Sequence, residues 1–152
     1  MNSLSVLALL AGAAIATQAT MNAKLGVLLD NSLMATSIAF LVSSLLTISV
    51  LLLTTRSYPQ MAVIKEIPSY LWISGGLLSG FAVAMFYYLI PKMGVGSMMS
   101  YALSGQILIA VIASHFGWFE LPVKPLNTLK IIGTLALMSG VLLLNWEPKN
   151  GY

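Results

Sequence analysis

The stretch SLMATSIAFLVSSLLTISVLLLT, Ser32 to Thr54, has no charged residue, and its only polar residues are serine and threonine. An α-helix needs roughly 20 apolar residues to cross the hydrocarbon core of a bilayer. This stretch is long enough, so it predicts a transmembrane helix.

Four further apolar runs of similar length, on either side of that stretch, also predict membrane spans. With the first stretch, the predicted spans cover residues 3–22, 32–54, 69–90, 95–114 and 129–146. The last run is bracketed by Lys130 and Glu147 and is slightly short, so Lys130 must snorkel or the bilayer must thin locally. The first run could be a signal peptide, but it lacks a basic n-region, which favours a retained span.

The composition excludes a soluble domain. The 152 residues are 59% hydrophobic and 7% charged, whereas about a quarter of the residues of a soluble domain are charged. The fold class is therefore an all-α integral membrane protein: five transmembrane helices in a compact bundle, forming one transmembrane domain over residues 1–152. Membrane lipid is the first predicted partner.

The charges exclude nucleic acid as a partner. The net charge is +3 at pH 7, yet the basic residues stand singly between apolar runs and form no basic patch. The chain has no cysteine, which excludes disulfides and thiolate metal sites. We expect no cofactor and no metal.

The connecting segments carry turn and interface signals. Asp30-Asn31-Ser32 predicts an N-cap for the second span, and Pro91 to Gly94 predicts a tight link between the third and fourth spans. Aromatic residues prefer the membrane interface, and five fall near predicted helix ends: Trp72, Tyr87, Tyr88, Trp118 and Trp146.

Small residues recur every fourth position along the first four spans. Such stripes allow the close backbone approach that associates helices in lipid. The stripes are Ala8, Gly12, Ala16 and Thr20; Ala35, Ala39, Ser43 and Thr47; Gly76, Gly80 and Ala84; and Gly96, Ser100 and Ser104. The glycines that we predict to pack helices are Gly12, Gly76, Gly80, Gly96 and Gly105. Small residues are also common in any membrane helix, so a single stripe is weak evidence.

The basic residues give almost no orientation signal. With the N-terminus inside, four would lie on the cytoplasmic side, and Lys24, Lys92 and Lys149 on the other. An excess of Lys and Arg normally sets orientation. Near balance predicts a chain that inserts both ways and pairs with an inverted copy of itself, which would reproduce the inverted repeat of many transporters. The alternative is one fixed orientation set by other cues, such as a partner protein.

Four motifs make the chain similar to a known family. They are Gln18 to Gly26 (QATMNAKLG), Gly75 to Gly80 (GGLLSG), Pro91 to Gly94 (PKMG), and Gly105-Gln106 followed by Ser114 to Gly117 (SHFG). In these the chain resembles the YdcZ-like family of small five-span bacterial membrane proteins in the drug/metabolite transporter superfamily. The resemblance implies a bacterial inner-membrane location, an efflux role, and assembly as an inverted homodimer or with a paralogous subunit. It also implies an Asp before the His-Phe-Gly of the fourth span, where this chain has Ser114.

Polar residues within the spans are the candidate substrate-pathway residues. Gln106 lies near the centre of the fourth span, where lipid offers no hydrogen-bond partner, so we expect it to face the bundle interior. Tyr101 and Ser104 lie close by on the same helix. A plain interhelical hydrogen bond, worth roughly 0.6 kcal/mol, explains Gln106 equally well.

Gln18 and Asn22 are four residues apart and share a face of the first span, so they could line a polar pathway. Because both lie in the last turns of that predicted span, contact with headgroups is the plainer interpretation. His115, the only histidine, could relay protons, but at a helix end it more often contacts headgroups or caps carbonyls.

Charged groups are missing where enzymes and proton antiporters need them. All four acids lie in predicted loops or at helix ends, which argues against proton exchange driven by a carboxylate. One His, no Cys and peripheral acids supply no catalytic set. The sequence therefore predicts a transporter of a small-molecule substrate, working as a dual-topology homodimer by alternating access. The alternative is a non-transporting accessory subunit of a larger membrane complex.

Overall fold

The computed structural model describes residues 2–146 and shows an all-α protein. Glu147, Lys149 and Tyr152 lie outside the described residues. The helices are α1 (Ser3–Leu28), α2 (Ser32–Thr54), α3 (Met61–Glu66), α4 (Ser69–Met93), α5 (Val95–Phe116) and α6 (Thr128–Leu144). The chain divides into two units, residues 1–92 with α1 to α4 and residues 93–152 with α5 and α6.

Within residues 2–146, four helices are long and apolar enough to cross a membrane: α1, α2, α4 and α5. They have 22 to 26 residues, which at 1.5 Å per residue makes them roughly 33 to 39 Å long. The hydrocarbon core is about 30 Å thick. α6 has only 17 residues, or roughly 26 Å. It is a shorter apolar helix, and that it forms a fifth span stays a prediction.

The structure moves several predicted boundaries. α1 continues past Asn22 to Leu28 and so includes Lys24. The segment between α2 and α4, predicted to be a connection, contains the short helix α3. α4 runs through Pro91 to Met93, and only Gly94, with φ 82°, separates it from α5. The tight link is therefore one residue long, because glycine reaches positive φ without steric cost.

The turn between α1 and α2 is closed by backbone hydrogen bonds. The N–H of Asn31 donates to the carbonyl of Gly26 over 2.9 Å, and the N–H of Asp30 donates to Val27 over 3.2 Å. Asp30 has φ 51°, so the turn is a Schellman motif with aspartate in the left-handed position that glycine usually takes. The predicted N-cap is confirmed, because the Asn31 side chain accepts from the N–H of Met34 over 3.0 Å.

Small residues form the contact between α1 and α2. Ala19, Ala23 and Gly26 of α1 are buried, as is Ala35 of α2. A methyl group at Gly26 would lie 3.3 Å from the Cα of Ser32, so glycine allows the two backbones their close approach. The three residues of α1 lie beside the predicted stripe of Gly12, not on it, whereas Ala35 belongs to the predicted stripe of α2.

None of the five glycines predicted to pack helices has a close neighbour in residues 2–146. A methyl group at Gly12, Gly76, Gly80, Gly96 or Gly105 would meet no atom within 4 Å. Within one chain these glycines therefore hold no helices together. Their packing role stays a prediction, and a second chain would have to supply the facing helix.

In the second unit, polar and apolar contacts join α5 to α6. Asn145, just after α6, donates from Nδ2 to the hydroxyl of Ser100 over 2.9 Å. Met98 and Val141 are buried. The connection between the helices turns at Gly117, where φ is 63°, and a methyl group there would lie 2.7 Å from Cγ2 of Val123. This position therefore favours glycine.

Most large apolar side chains point outward from the single chain. Leu53 is 86% exposed and Leu10 is 60% exposed, whereas Tyr87 is 2% exposed. Water would not tolerate this distribution in a protein of this size, but lipid does. Tyr87 is the largest fully buried side chain among residues 2–146.

Candidate functional site

Three polar side chains meet inside the first unit. Nδ2 of Asn22 donates to the hydroxyl of Tyr87 over 2.9 Å and to Oε1 of Gln18 over 2.9 Å. The hydroxyl of Tyr87 donates in turn to Oε1 of Gln18 over 3.0 Å. We call Gln18, Asn22 and Tyr87 the polar trio. It is the one closed ring of side-chain hydrogen bonds in the part of the chain that the structure describes.

Helical spacing positions the trio. Gln18 and Asn22 are one turn apart, so both project from one face of α1. Tyr87 follows the buried Ala84 by three residues and precedes the buried Ile90 by three, which places all of them on the packed face of α4. The ring of Tyr87 is buried and its hydroxyl bonds to two amides; its preference for the membrane interface stays a prediction.

Because α1 is longer than predicted, Gln18 and Asn22 lie further from its C-terminal end. Gln18 stands ten residues before the end of α1 at Leu28, or roughly 15 Å along the axis. Asn22 stands six residues before that end, roughly 9 Å along the axis. Both amides therefore lie further from the end of α1 than the sequence predicts, because the helix is longer.

The trio lines an open groove of about 380 Å³ in the first unit. Tyr87 and Val83 of α4 form one part of its wall, and α2 contributes the rest: Ile38, Ala39, Phe40, Val42 and Ser43. Ala39 and Ser43 belong to the small-residue stripe of α2, so part of this stripe lines open space. No residue of the lining carries a charge.

A second cavity of about 430 Å³ lies at the turn between α1 and α2 and the end of α4. Its lining includes Asp30 and Lys92, together with Asn31 and Tyr88. The ammonium of Lys92 stands 3.7 Å from the ring centroid of Tyr88 and hydrogen-bonds to its hydroxyl. Tyr87 lines this cavity as well as the groove, so its side chain forms part of the wall of both.

The predicted pathway residues of α5 lie in the second unit. Gln106 is exposed and stands ten residues before the end of α5, roughly 15 Å along the axis and close to its centre. Its amide makes no hydrogen bond to any residue in the range 2–146. Tyr101 is 47% exposed, and the hydroxyl of Ser104 donates to the carbonyl of Ser100 over 2.9 Å. Within a single chain, Gln106 does not face an interior.

His115 has a structural contact. Its Nδ1 accepts from the backbone N–H of Leu126 over 3.1 Å, and its ring stands edge-on to that of Phe116, with centroids 4.8 Å apart. The imidazole therefore holds the connection between α5 and α6, as a histidine that satisfies backbone groups is expected to do.

No metal site is present in residues 2–146, where no group of three or more His, Cys, Asp or Glu side chains could hold an ion. The polar trio is a neutral site on helices that are long and apolar enough to cross a membrane.

The fold and the site together define a multi-pass integral membrane protein with a polar groove. The family model described as "Putative inner membrane exporter, YdcZ" matches residues 3–143. The chain belongs to this family, as its motifs predict, so it is a protein of the bacterial inner membrane and of a transporter family, not an enzyme family. No curated protein and no solved structure gives a significant match.

Proposed function

We propose that this protein exports a small solute along the groove of α1, α2 and α4, working as an antiparallel homodimer by alternating access. One observation carries the proposal: a hydrogen-bonded trio of polar side chains lines an open, uncharged groove between membrane-spanning helices. Membership of a family described as inner membrane exporters also supports export.

The open side of the groove favours a pathway over a purely structural contact. An interhelical hydrogen bond in a membrane contributes about 0.6 kcal/mol on average, and one such bond between Asn22 and Tyr87 would hold α1 to α4. A structural contact does not require a cavity beside it. Here Gln18 is exposed to a groove large enough for a small organic molecule.

The charge balance supports insertion in both orientations. In a five-span chain with the N-terminus inside, Arg56, Lys65, Lys124 and Lys130 would lie on the cytoplasmic side, against Lys24 and Lys92 outside. Lys149, beyond the described residues, adds a third to the outer side. Such a small excess orients a chain poorly, so both orientations would be populated in one membrane.

An inverted partner would also give Gln106 a place. An exposed amide near the centre of a membrane helix is costly unless it finds a hydrogen-bond partner. In an antiparallel pair only residues at mid-membrane from the two copies meet at equal depth, and Gln106 meets this condition on α5. Two Gln106 amides could then bond to each other.

Alternating access follows from the symmetry of such a pair. If the two copies adopt slightly different shapes, exchanging those shapes converts an inward-open pair into an outward-open pair of equal energy. The solute then needs only to bind in the groove of one copy at a time.

Transport is tested with vesicles that contain the purified protein and a low-molecular-weight extract of bacterial cytosol. Wild-type vesicles should release one or more solutes faster than protein-free vesicles, as followed by mass spectrometry. Gln18→Leu should abolish that release. Thr17→Val, on the same helix and bonded only to its own backbone carbonyl of Ala13, should retain it. Release that is equal with and without protein contradicts the proposal.

The accessory-subunit alternative makes the opposite prediction. A chain that releases no solute, yet purifies from native membranes with another protein in fixed ratio, is an accessory subunit.

Pairing is tested by self-cross-linking of single cysteines, since the native chain has none. A disulfide forms only where two Cα atoms approach to about 4.4–6.8 Å. Gln106→Cys should give covalent dimers on mild oxidation. Leu4→Cys, at the N-terminal end of α1, should not give covalent dimers, because inversion puts the two copies of residue 4 on opposite membrane faces. Dimers through residue 4 and none through residue 106 would indicate a parallel pair.

A further inference from the structure

The hydrogen-bonding capacity of the polar trio is only partly used. Both N–H groups of Asn22 are engaged, with Gln18 and Tyr87. Oε1 of Gln18 accepts two bonds, and the hydroxyl of Tyr87 both donates and accepts. Nε2 of Gln18 and Oδ1 of Asn22 bond to no other residue in 2–146. The trio therefore offers two free N–H donors on Gln18 and one free carbonyl acceptor on Asn22, two amides that are hydrogen-bonded to each other.

The groove supplies no charge to balance an ion. Its lining consists of the trio, one serine and apolar side chains. The charged residues Asp30 and Lys92 line the other cavity, at the end of the helices. Moving an ion from water into an uncharged site within the membrane costs far more free energy than moving a neutral polar group that can be hydrogen-bonded.

We infer that the groove takes an uncharged solute that carries a hydrogen-bond acceptor and donor on adjacent atoms, of which a carboxamide is the simplest case. The carbonyl of the solute would accept from Nε2 of Gln18, and its N–H would donate to Oδ1 of Asn22. The rest of the solute would lie against Ile38, Val42 and Val83, which suits a small apolar or aromatic group. That this binding leads to transport rests on the proposed function; the binding itself does not.

Three probes of nearly equal size and different charge distinguish an uncharged solute from an anion or a cation: benzamide, benzoate and benzylammonium at neutral pH. A ligand that binds only the folded state raises the melting temperature. We expect millimolar benzamide to raise the melting temperature of the purified wild-type protein by several degrees. Benzoate and benzylammonium should shift it by less than a third as much. An equal shift by all three probes, or none by benzamide, overturns the inference.

Variants of Gln18 test whether its side-chain amide binds the probe. In Gln18→Glu one carboxylate oxygen still accepts from Asn22 and Tyr87, while the other replaces the free N–H₂ group with an acceptor. This variant should lose the response to benzamide and gain one to benzylammonium. Gln18→Leu should lose the response to benzamide and gain none, and the control Thr17→Val should respond like the wild type.

The outcomes keep the two proposals apart. Vesicles that release a charged solute in a manner dependent on Gln18 would retain export and overturn the neutral class. A benzamide response that follows the predicted variant pattern, in a protein that releases nothing from vesicles, would retain the site and remove the export function. If Gln18→Glu fails to fold, the contrast between Gln18→Leu and Thr17→Val decides the assignment alone.

Discussion

Replacing Tyr87 with phenylalanine removes one oxygen atom from the polar trio and leaves the buried ring in place. The lost hydroxyl accepts from Asn22 over 2.9 Å and donates to Gln18 over 3.0 Å. At about 0.6 kcal/mol for each interhelical bond in a membrane, and with one buried N–H losing an acceptor, we expect about 1–2 kcal/mol less stability. The bond between Asn22 and Gln18 remains, which limits the loss.

The measurement is unfolding in mixed micelles titrated with sodium dodecyl sulfate and followed by tryptophan fluorescence. Tyr70→Phe is the matched control, since Tyr70 lies on the same helix, is 54% exposed and makes no side-chain hydrogen bond to the rest of residues 2–146. A double-mutant cycle of Tyr87→Phe with Asn22→Ala should give a coupling of at least about 0.5 kcal/mol. If Tyr87→Phe and Tyr70→Phe are equally stable and Tyr87 and Asn22 show no coupling, the hydrogen bonds of Tyr87 do not stabilise the fold.

Further variants test the turn and the contact between α1 and α2. Gly26→Leu should destabilise the fold by about 1–3 kcal/mol, because a Cβ at that position already lies 3.5 Å from Cβ of Ala35; Gly12→Leu, facing open space, is its control in the same titration. Asn31→Ala should cost about 1 kcal/mol through loss of the N-cap of α2. Gly117→Ala should cost about 1 kcal/mol or more, because its positive φ disfavours any Cβ. A Gly26 variant as stable as the Gly12 variant would contradict the close approach of α1 and α2.

Much of the fold follows from the sequence. Apolar runs such as Ser32 to Thr54 predict long helices because a bilayer leaves the backbone no other way to satisfy its hydrogen bonds. The N-cap at Asn31 is equally local, since it needs only the side chain and the next turn of backbone. The family assignment also follows, because its motifs are spread over most of the chain.

Helix ends were less predictable where charges occur inside helices. Lys24 suggests the end of a span, yet α1 continues to Leu28, because a lysine stem can lie along a helix while its ammonium reaches the interface. The end of α1 is set instead by the left-handed backbone of Asp30, which propensity alone indicates weakly.

The candidate site was predictable only in part. The spacing of Gln18 and Asn22 places them on one face, but their partner is distant in sequence and no local pattern names it. The helical spacing of Gly76, Gly80 and Ala84 could have found Tyr87, which continues that face three residues after Ala84. The preference of aromatic residues for interfaces instead suggested a position at the membrane surface for Tyr87, whereas the structure buries its side chain.

The inverted pair requires that the chain inserts into its membrane in both orientations, and labelling of single cysteines measures this. Single cysteines at Asn2 and Tyr152, each in an otherwise cysteine-free chain, are exposed to a membrane-impermeant maleimide in intact and in inverted membrane vesicles. Insertion both ways predicts that each cysteine is labelled to about half in either preparation. Complete labelling of a cysteine in one preparation, with none in the other, would show a single orientation and contradict the inverted pair.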